Sequence, residues 1–171
     1  MNNRTRLTEL ATRTGRCGKP QYELIYDLIV KKGAKTALSI GVNTGGMTLM
    51  LAAMGLQVTA VDPWLVEERY QDFLTNLKAE NVNCDIHRCL SSEFFAKLPG
   101  DTKYDFAFID GSHTYQDFRS DLESCIQCCQ VVSCHPRPGS ARATDPGAAT
   151  YAIEDLINES KIDGYFDHEL F

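Results

Sequence analysis

The stretch Thr36-Ala37-Leu38-Ser39-Ile40-Gly41-Val42-Asn43-Thr44-Gly45-Gly46 decides the fold. Its first half is a short apolar run, and its second half consists of glycines and small residues that favour a tight turn. A longer, helix-compatible apolar run follows at Met47 to Met54 and is closed by Gly55. The segment therefore predicts a strand, a tight turn and a helix in succession.

The same alternation continues along the chain in both directions. It predicts strands at 36–40, 57–61, 82–87, 104–109 and 131–134, with an edge strand at 165–171, and helices at 21–32, 47–54, 64–80, 91–98, 114–130 and 148–160. Such alternation predicts an α/β fold, a doubly wound, mostly parallel Rossmann-like sheet with helices on both faces. Few residues follow 160, so the last strand of such a sheet is expected to be missing.

Composition bounds the function. The 171 residues, 43% of them hydrophobic, predict one domain at 21–171, preceded by an arm or helix at 1–20. A formal charge of −6 disfavours nucleic acid as a partner. No apolar run approaches the ~20 residues that cross a bilayer, so we expect no membrane span.

The N-terminal segment and the cysteines bear on location. Residues 1–20 are rich in arginine and poor in acids, which fits a transit peptide, a partly ordered arm, or an amphipathic helix that docks over a pocket through Leu7, Leu10 and Ala11. Seven cysteines without even spacing do not resemble a secreted disulfide scaffold. We expect a reducing, cytoplasmic location.

Ligands of doubly wound sheets bind beyond the carboxyl ends of the strands. The predicted strand ends are followed by Gly41, Asp62, Ser91, Asp110 and His135. Asp62 follows Gly41 by 21 residues, close to the ~20 expected of a carboxylate that binds a ribose diol. A plain turn with a helix cap at Asp62 is an alternative. A dinucleotide site is another, although its fingerprint requires a glycine where Asn43 stands.

The segments 39–52 and 58–62, and above all Phe108-Ile109-Asp110-Gly111-Ser112-His113-Thr114-Tyr115, resemble class I S-adenosylmethionine-dependent methyltransferases. The likeness covers about 34–157. The Asp-Gly-Ser-His-x-Tyr run, followed by a helix carrying Asp121 and Leu122, is similar to a branch that contains small-molecule and sugar O-methyltransferases.

The resemblance implies specific roles for the residues at the strand ends. Asp62 would bind the ribose, Ser91 and the Trp64 ring would lie near the adenine, and Asp110 would face the methyl-transfer centre. Gly41, Asn43 and Gly45 would line the methionine part. The further cofactor-binding candidates are Ser39, Thr44 and Gly111.

Two positions depart from the pattern of that superfamily. Its members usually carry an acid where Ser39 stands, and that acid holds the amino group of the cofactor. Metal-using members of the branch have a ligand at the position of Asp110 and a further acid where Pro136 stands. A single carboxylate would hold Mg²⁺ weakly, so Mg²⁺ at Asp110 is left open.

Methyl transfer needs alignment of the reacting groups and a base for the proton of the acceptor. His113 is the first candidate because an imidazole titrates near neutral pH and this one follows a strand end that should face the substrate. His135 is the second. Trp64 and Tyr115 are candidates to stack on adenine or to cover the substrate, and packing is the alternative role for both. For His113 the alternative role is helix capping.

A zinc site is a further alternative, since Cys125 and Cys128 share the gap of metal knuckles, with Cys129, Cys134 and His135 nearby. We expect reduced, mostly buried thiols on a helix instead. The sequence thus predicts O-methylation of a small-molecule acceptor that uses S-adenosylmethionine, in a monomer or a homodimer. A non-catalytic S-adenosylmethionine-binding protein and an NAD-dependent oxidoreductase are the alternatives.

Overall fold

Five apolar runs of the sequence become one parallel sheet in the computed structural model, which describes residues 2–135 and 148–159. The strands are β1 (Thr36–Ile40), β2 (Gln57–Val61), β3 (Asp85–His87), β4 (Tyr104–Ile109) and β5 (Cys129–Cys134), in the order β3-β2-β1-β4-β5. The helices of the described residues are α1 (Asn3–Thr14), α2 (Lys19–Lys32), α3 (Gly46–Ala53), α4 (Glu67–Ala79), α5 (Ser91–Lys97), α6 (Tyr115–Cys128) and α7 (Ala148–Asn158).

The helices cover both faces of the sheet, as predicted. On one face, Ala37 of β1 and Phe108 of β4 belong to a core cluster with side chains of α1 to α4. On the other face, Leu38 and Ile109 pack with side chains of α5, α6 and α7. Neighbouring residues of one strand thus point into different cores, which explains why the central strands are apolar throughout.

The fourth helix begins at Glu67 and not at Trp64, so the predicted start was wrong. Trp64 has a φ of 40°, and its backbone N–H donates to Asp62 Oδ1 at 2.6 Å. A positive φ is incompatible with a right-handed helix, so the chain turns here before α4 starts.

Two strands also have other bounds than predicted. β3 spans three residues because the N–H of Val82 donates to the carbonyl of Leu77 at 3.1 Å and so belongs to the end of α4. β5 begins at Cys129, which pairs with Tyr104 of β4, and α6 ends one residue earlier. Cys129, predicted to lie on a helix, is therefore a strand residue.

The N-terminal segment forms the amphipathic helix that was one of its three interpretations. Asn2 caps α1 by accepting a hydrogen bond from the N–H of Thr5 at 2.8 Å. Leu7, Leu10 and Ala11 are buried in the core that also holds α2 and α3. The helix is thereby fixed beside the turn that follows β1.

The segment 135–147, whose three prolines and two glycines predict a surface loop, lies outside the described residues except for His135, and so does the predicted edge strand at 165–171. In the described part of the chain, no helix combines the length and the apolar character needed to cross a bilayer.

Candidate active site at the carboxyl end of the sheet

The ends of β1, β2 and β4 are joined at one edge of the sheet by backbone hydrogen bonds. The N–H of Gly41 donates to the carbonyl of Val61 at 2.9 Å, and the N–H of Asp110 donates to the carbonyl of Ile40 at 2.8 Å. The glycine turn (41–46), Asp62 and Asp110 are thus brought together, as the strand-end rule predicts.

Asp62 is the anchor of the glycine turn. Its Oδ2 accepts hydrogen bonds from the backbone N–H groups of Val42 at 2.8 Å and Asn43 at 2.9 Å. Its Oδ1 accepts the N–H of Trp64, so three amides bind one half-buried carboxylate. Two backbone N–H groups of the turn are therefore already bound by Asp62.

The glycines of the turn meet protein neighbours closely. Gly41 has a φ of 78°, and a Cβ atom there would lie 2.3 Å from the carbonyl oxygen of Asp110. Gly45 has a φ of 102°, and a Cβ atom there would lie 2.5 Å from the ring of Phe73. Both positions therefore require glycine for backbone conformation and for close approach.

Trp64 holds the glycine turn through its buried ring. Its indole is 2% exposed, stacks on Phe73 with a centroid distance of 5.3 Å, and donates from Nε1 to the carbonyl of Asn43 at 2.8 Å. Tyr70 packs against it at 5.0 Å. In this arrangement the ring presents no open face to an adenine.

Ser39, Asn43 and Thr44 differ in what they offer to a ligand. Ser39 is fully buried, and its hydroxyl lies 2.9 Å from Thr48 Oγ1. Thr44 Oγ1 donates to the carbonyl of Thr14 at 2.6 Å. Asn43 Oδ1 is a buried atom without a hydrogen-bond partner among the described residues. Of the three, Asn43 therefore has an oxygen that is still available to a donor.

Asp110 and His113 lie close together after β4. His113 Nε2 is 3.8 Å from Asp110 Oδ1, and the two side chains are 25% and 17% exposed. On the other side of Asp110, the Cys17 thiol lies 3.9 Å from Oδ2. His135 follows β5 at the same edge, where its N–H donates to the carbonyl of Ile109 at 2.9 Å.

Asp121 is a buried acid beside this edge that the sequence reasoning did not single out as a site residue. It is 4% exposed, and burial raises its pKa to about 6, partly opposed by a hydrogen bond with Ser91. A Cβ atom on Gly111 would lie 3.4 Å from its Oδ2. The available signal was position, since Asp121 falls at helical spacing between the apolar residues Phe118 and Cys125.

The space between the glycine turn and the N-terminal arm is small. A cavity of about 20 Å³ lies there, lined among others by Arg16, Cys17, Tyr22, Asn43 and Asp110. That is about the volume of one water molecule, whereas small-molecule pockets are typically about 300–1,000 Å³. The polar groups of a ligand site are present, and the cavity that the described residues enclose among them is smaller than such a pocket.

The cysteines do not form a disulfide framework. None of the seven cysteines, all of which lie in the described part of the chain, is in a disulfide, and the Sγ atoms of Cys128 and Cys129 lie 3.6 Å apart. Across 2–135 and 148–159, no group of three or more histidine, cysteine or acidic side chains is arranged to hold a metal ion.

Comparisons with known proteins agree with this architecture. Residues 38–134 match the model of a family described as a methyltransferase domain. The O-methyltransferase from Bacillus cereus, crystallised with S-adenosylhomocysteine, is 17% identical and superposes with a TM-score of 0.69 over 92% of this chain and 79% of its own. A search of curated proteins finds no match.

Two further structures share the fold. The O-methyltransferase TomG from Streptomyces achromogenes, in complex with S-adenosylmethionine, is 14% identical, with a TM-score of 0.63 over 98% of this chain and 80% of its own. A methyltransferase from Podospora anserina, bound to S-adenosylhomocysteine, is 10% identical, with a TM-score of 0.68 over 100% of this chain and 85% of its own. At these identities the likeness establishes the fold.

Proposed function

The chain belongs to the methyltransferase-domain family, and we propose that it transfers a methyl group from S-adenosylmethionine to a hydroxyl group of a small molecule. The observation that carries this proposal is the convergence of the glycine turn, Asp62 and Asp110 at the carboxyl edge of the sheet. The similar O-methyltransferases crystallised with S-adenosylmethionine or S-adenosylhomocysteine support the choice of cofactor.

The orphaned oxygen of Asn43 supports binding of an amino-acid end at this site. An ammonium group there would donate a hydrogen bond to Asn43 Oδ1. Asn43 would then take the role of the acid that superfamily members usually carry at the position of Ser39. Asp62 accepts hydrogen bonds from three backbone N–H groups, and we expect its carboxylate to bind the ribose as well. Ser91, which is hydrogen-bonded to Asp121, is the residue that we expect near the adenine. When bound, the cofactor supplies a methyl group on a sulfonium sulfur.

The chain itself has to orient the acceptor and take up its proton. His113 can accept the hydroxyl proton while the oxygen bonds to the methyl carbon and the carbon–sulfur bond breaks. Asp110, 3.8 Å away, stabilises the imidazolium that forms. His135 is the alternative base, because it follows the neighbouring strand end.

Several finer points are part of the same proposal. Residues 21–171 form one domain, and two copies associate as a homodimer. Asp110 contributes to Mg²⁺ binding only if waters or the acceptor complete its oxygen shell. The free thiols support a reducing compartment, such as the cytoplasm, as the place of action.

The experiment is a methyl-transfer assay with methyl-labelled S-adenosylmethionine and a panel of hydroxylated small molecules, sugars included, with and without Mg²⁺. We expect label to move to a hydroxyl acceptor. Binding of S-adenosylhomocysteine without any transfer would assign a non-catalytic binding protein, and binding of NAD alone would contradict the proposal.

A further inference from the structure

The turn between α1 and α2, residues 14–17, lies directly against the glycine turn, and we call it the arm turn. Its first residue, Thr14, accepts a hydrogen bond from Thr44 Oγ1 at 2.6 Å through its carbonyl oxygen. Its last residue, Cys17, places its thiol 3.9 Å from Asp110 Oδ2. The arm turn thus spans the site from the glycine turn to the end of β4.

Gly15 and Gly46 bring the two turns into backbone contact. A Cβ atom on Gly15 would lie 2.9 Å from the Cα of Gly46, and a Cβ atom on Gly46 would lie 2.4 Å from the Cα of Gly15. Real side chains do not tolerate such distances, so the contact exists only because both residues are glycine. The cavity of about 20 Å³ is the space that this contact leaves.

The arm turn is held by fewer buried side chains than the helix before it, since Cys17 is the only buried residue of its four. α1 is fixed by Leu7, Leu10 and Ala11, which are all buried. Arg16 and Gly18, by contrast, are exposed. Arg13, at the end of α1, pairs with Glu80 at 3.0 Å, but its side chain is 71% exposed, and such surface pairs stabilise little. The arm turn can therefore move while α1 stays in place, with Gly15 as the hinge.

We infer that the arm turn is a gate which occupies the place of the cofactor's methionine end and has to swing away before that end can enter. This inference rests on the proposed function. Binding is then coupled to opening, because the apparent dissociation constant equals the intrinsic constant divided by the open fraction. Anything that favours the open arm turn raises the affinity for the cofactor.

The first test compares Gly15→Ala with Gly18→Ala. The new Cβ of Gly15→Ala would lie 2.0 Å from the hydroxyl of Tyr22, whereas that of Gly18→Ala has only Pro20 Cδ nearby, at an ordinary 3.6 Å. Gly15→Ala should bind S-adenosylhomocysteine more tightly, by about tenfold if the unmodified protein is open about a tenth of the time. Gly18→Ala should match the unmodified protein.

Alkylation of Cys17, followed by peptide mass spectrometry without ligand, reports the opening itself, because this thiol is 7% exposed. It should be faster in Gly15→Ala than in Gly18→Ala. Equal affinities together with equal alkylation rates, in a Gly15→Ala protein that melts cooperatively, would overturn the gate and leave the proposed function standing.

The second test uses the unmodified protein, so it does not depend on how a variant folds. Hydrogen exchange of the amides at 15–17 is followed with and without saturating S-adenosylhomocysteine. The gate predicts faster exchange in the complex, and slower exchange would overturn it, because the arm turn would then close over the ligand. If neither the unmodified protein nor Gly15→Ala binds S-adenosylhomocysteine in calorimetry, the proposed function fails and the gate fails with it.

Discussion

Asp62 Oδ2 accepts the backbone N–H of Asn43 at 2.9 Å, which ties the end of β2 to the turn after β1. A similar arrangement exists at the opposite edge of the sheet. There, Asp105 Oδ2 accepts the N–H groups of Lys35 at 2.8 Å and Thr36 at 3.0 Å, and these bonds lower the pKa of Asp105. Two carboxylates thus hold the two ends of β1, and only Asp62 lies at the edge of the sheet that carries the glycine turn.

This symmetry offers a matched pair of variants. Asp62→Asn and Asp105→Asn each exchange an accepting oxygen for an N–H₂ group, so each should lower the free energy of unfolding by about 1–3 kcal/mol. Only Asp62→Asn should also weaken S-adenosylhomocysteine binding. Urea unfolding and calorimetry measure the two effects. Equal loss of affinity in both variants would mean that the effect comes from general destabilisation.

Asn43 should contribute to affinity through its side chain. Asn43→Gly keeps the positive φ of 55° accessible and removes Oδ1, so the dissociation constant of S-adenosylhomocysteine should rise about tenfold, as expected for one hydrogen bond to a charged group. Asn81→Gly, with a φ of 51° at the end of α4, is the control and should bind normally.

A ligand that lacks the amino group tests the contact with Asn43 independently of the other contacts in the site. The deaminated analogue of S-adenosylhomocysteine should bind Asn43→Gly and the unmodified protein equally. If Asn43→Gly weakens both ligands to the same extent, Asn43 does not hold the amino group.

Asp121 should make stability depend on pH. Its pKa of about 6 in the folded protein lies above the ordinary 3.8, so folding is penalised once pH is high enough to ionise the buried carboxyl. The penalty grows as pH rises from about 4 and is complete above the folded pKa. Asp121→Asn carries no such penalty, so its stability relative to the unmodified protein should rise by about 2 kcal/mol between pH 4.5 and 7.5.

Urea unfolding of both proteins at several pH values measures this difference, and the contributions of other carboxylates cancel in the comparison. A stability difference that stays constant across this pH range would show that Asp121 ionises as readily in the folded chain as in the unfolded one.

His113 should act on turnover rather than on cofactor affinity. His113→Gln removes the proposed base, so kcat should fall about 100-fold while the dissociation constant of S-adenosylhomocysteine stays nearly unchanged. His87→Gln is the control, because His87 also lies beside an acid, with Nε2 2.9 Å from Asp85 Oδ2, but sits on β3. If His113→Gln keeps full turnover, His113 is not the base, and His135 becomes the candidate.

The sequence was sufficient to predict the sheet and the place of the site. β1, β2 and β4 lie at their predicted residues, because strands that are buried on both faces are apolar throughout. The predicted start of the helix at 114 is close to the observed one, because Thr114 caps α6 by accepting the N–H of Asp117. Element ends were harder to predict where long-range contacts decide them, as at Trp64, whose ring donates a hydrogen bond to the carbonyl of Asn43.

The contents of the site were less predictable than its place. Nothing in the local sequence indicates that Asp62 takes the amides of the turn, or that Gly15 packs on Gly46, because these contacts join residues that are distant along the chain. Trp64, expected to lie near adenine, is buried under the turn. Its role toward adenine, like the roles of Ser39, Ser91 and His113, remains a prediction.

The central claim, that this fold binds an adenosyl cofactor at the glycine turn, is tested most directly by calorimetric titration of the unmodified protein with S-adenosylhomocysteine and, separately, with NAD. We predict saturable binding of S-adenosylhomocysteine at one site per chain and no binding of NAD. Saturable binding of NAD with no heat from S-adenosylhomocysteine would contradict the account.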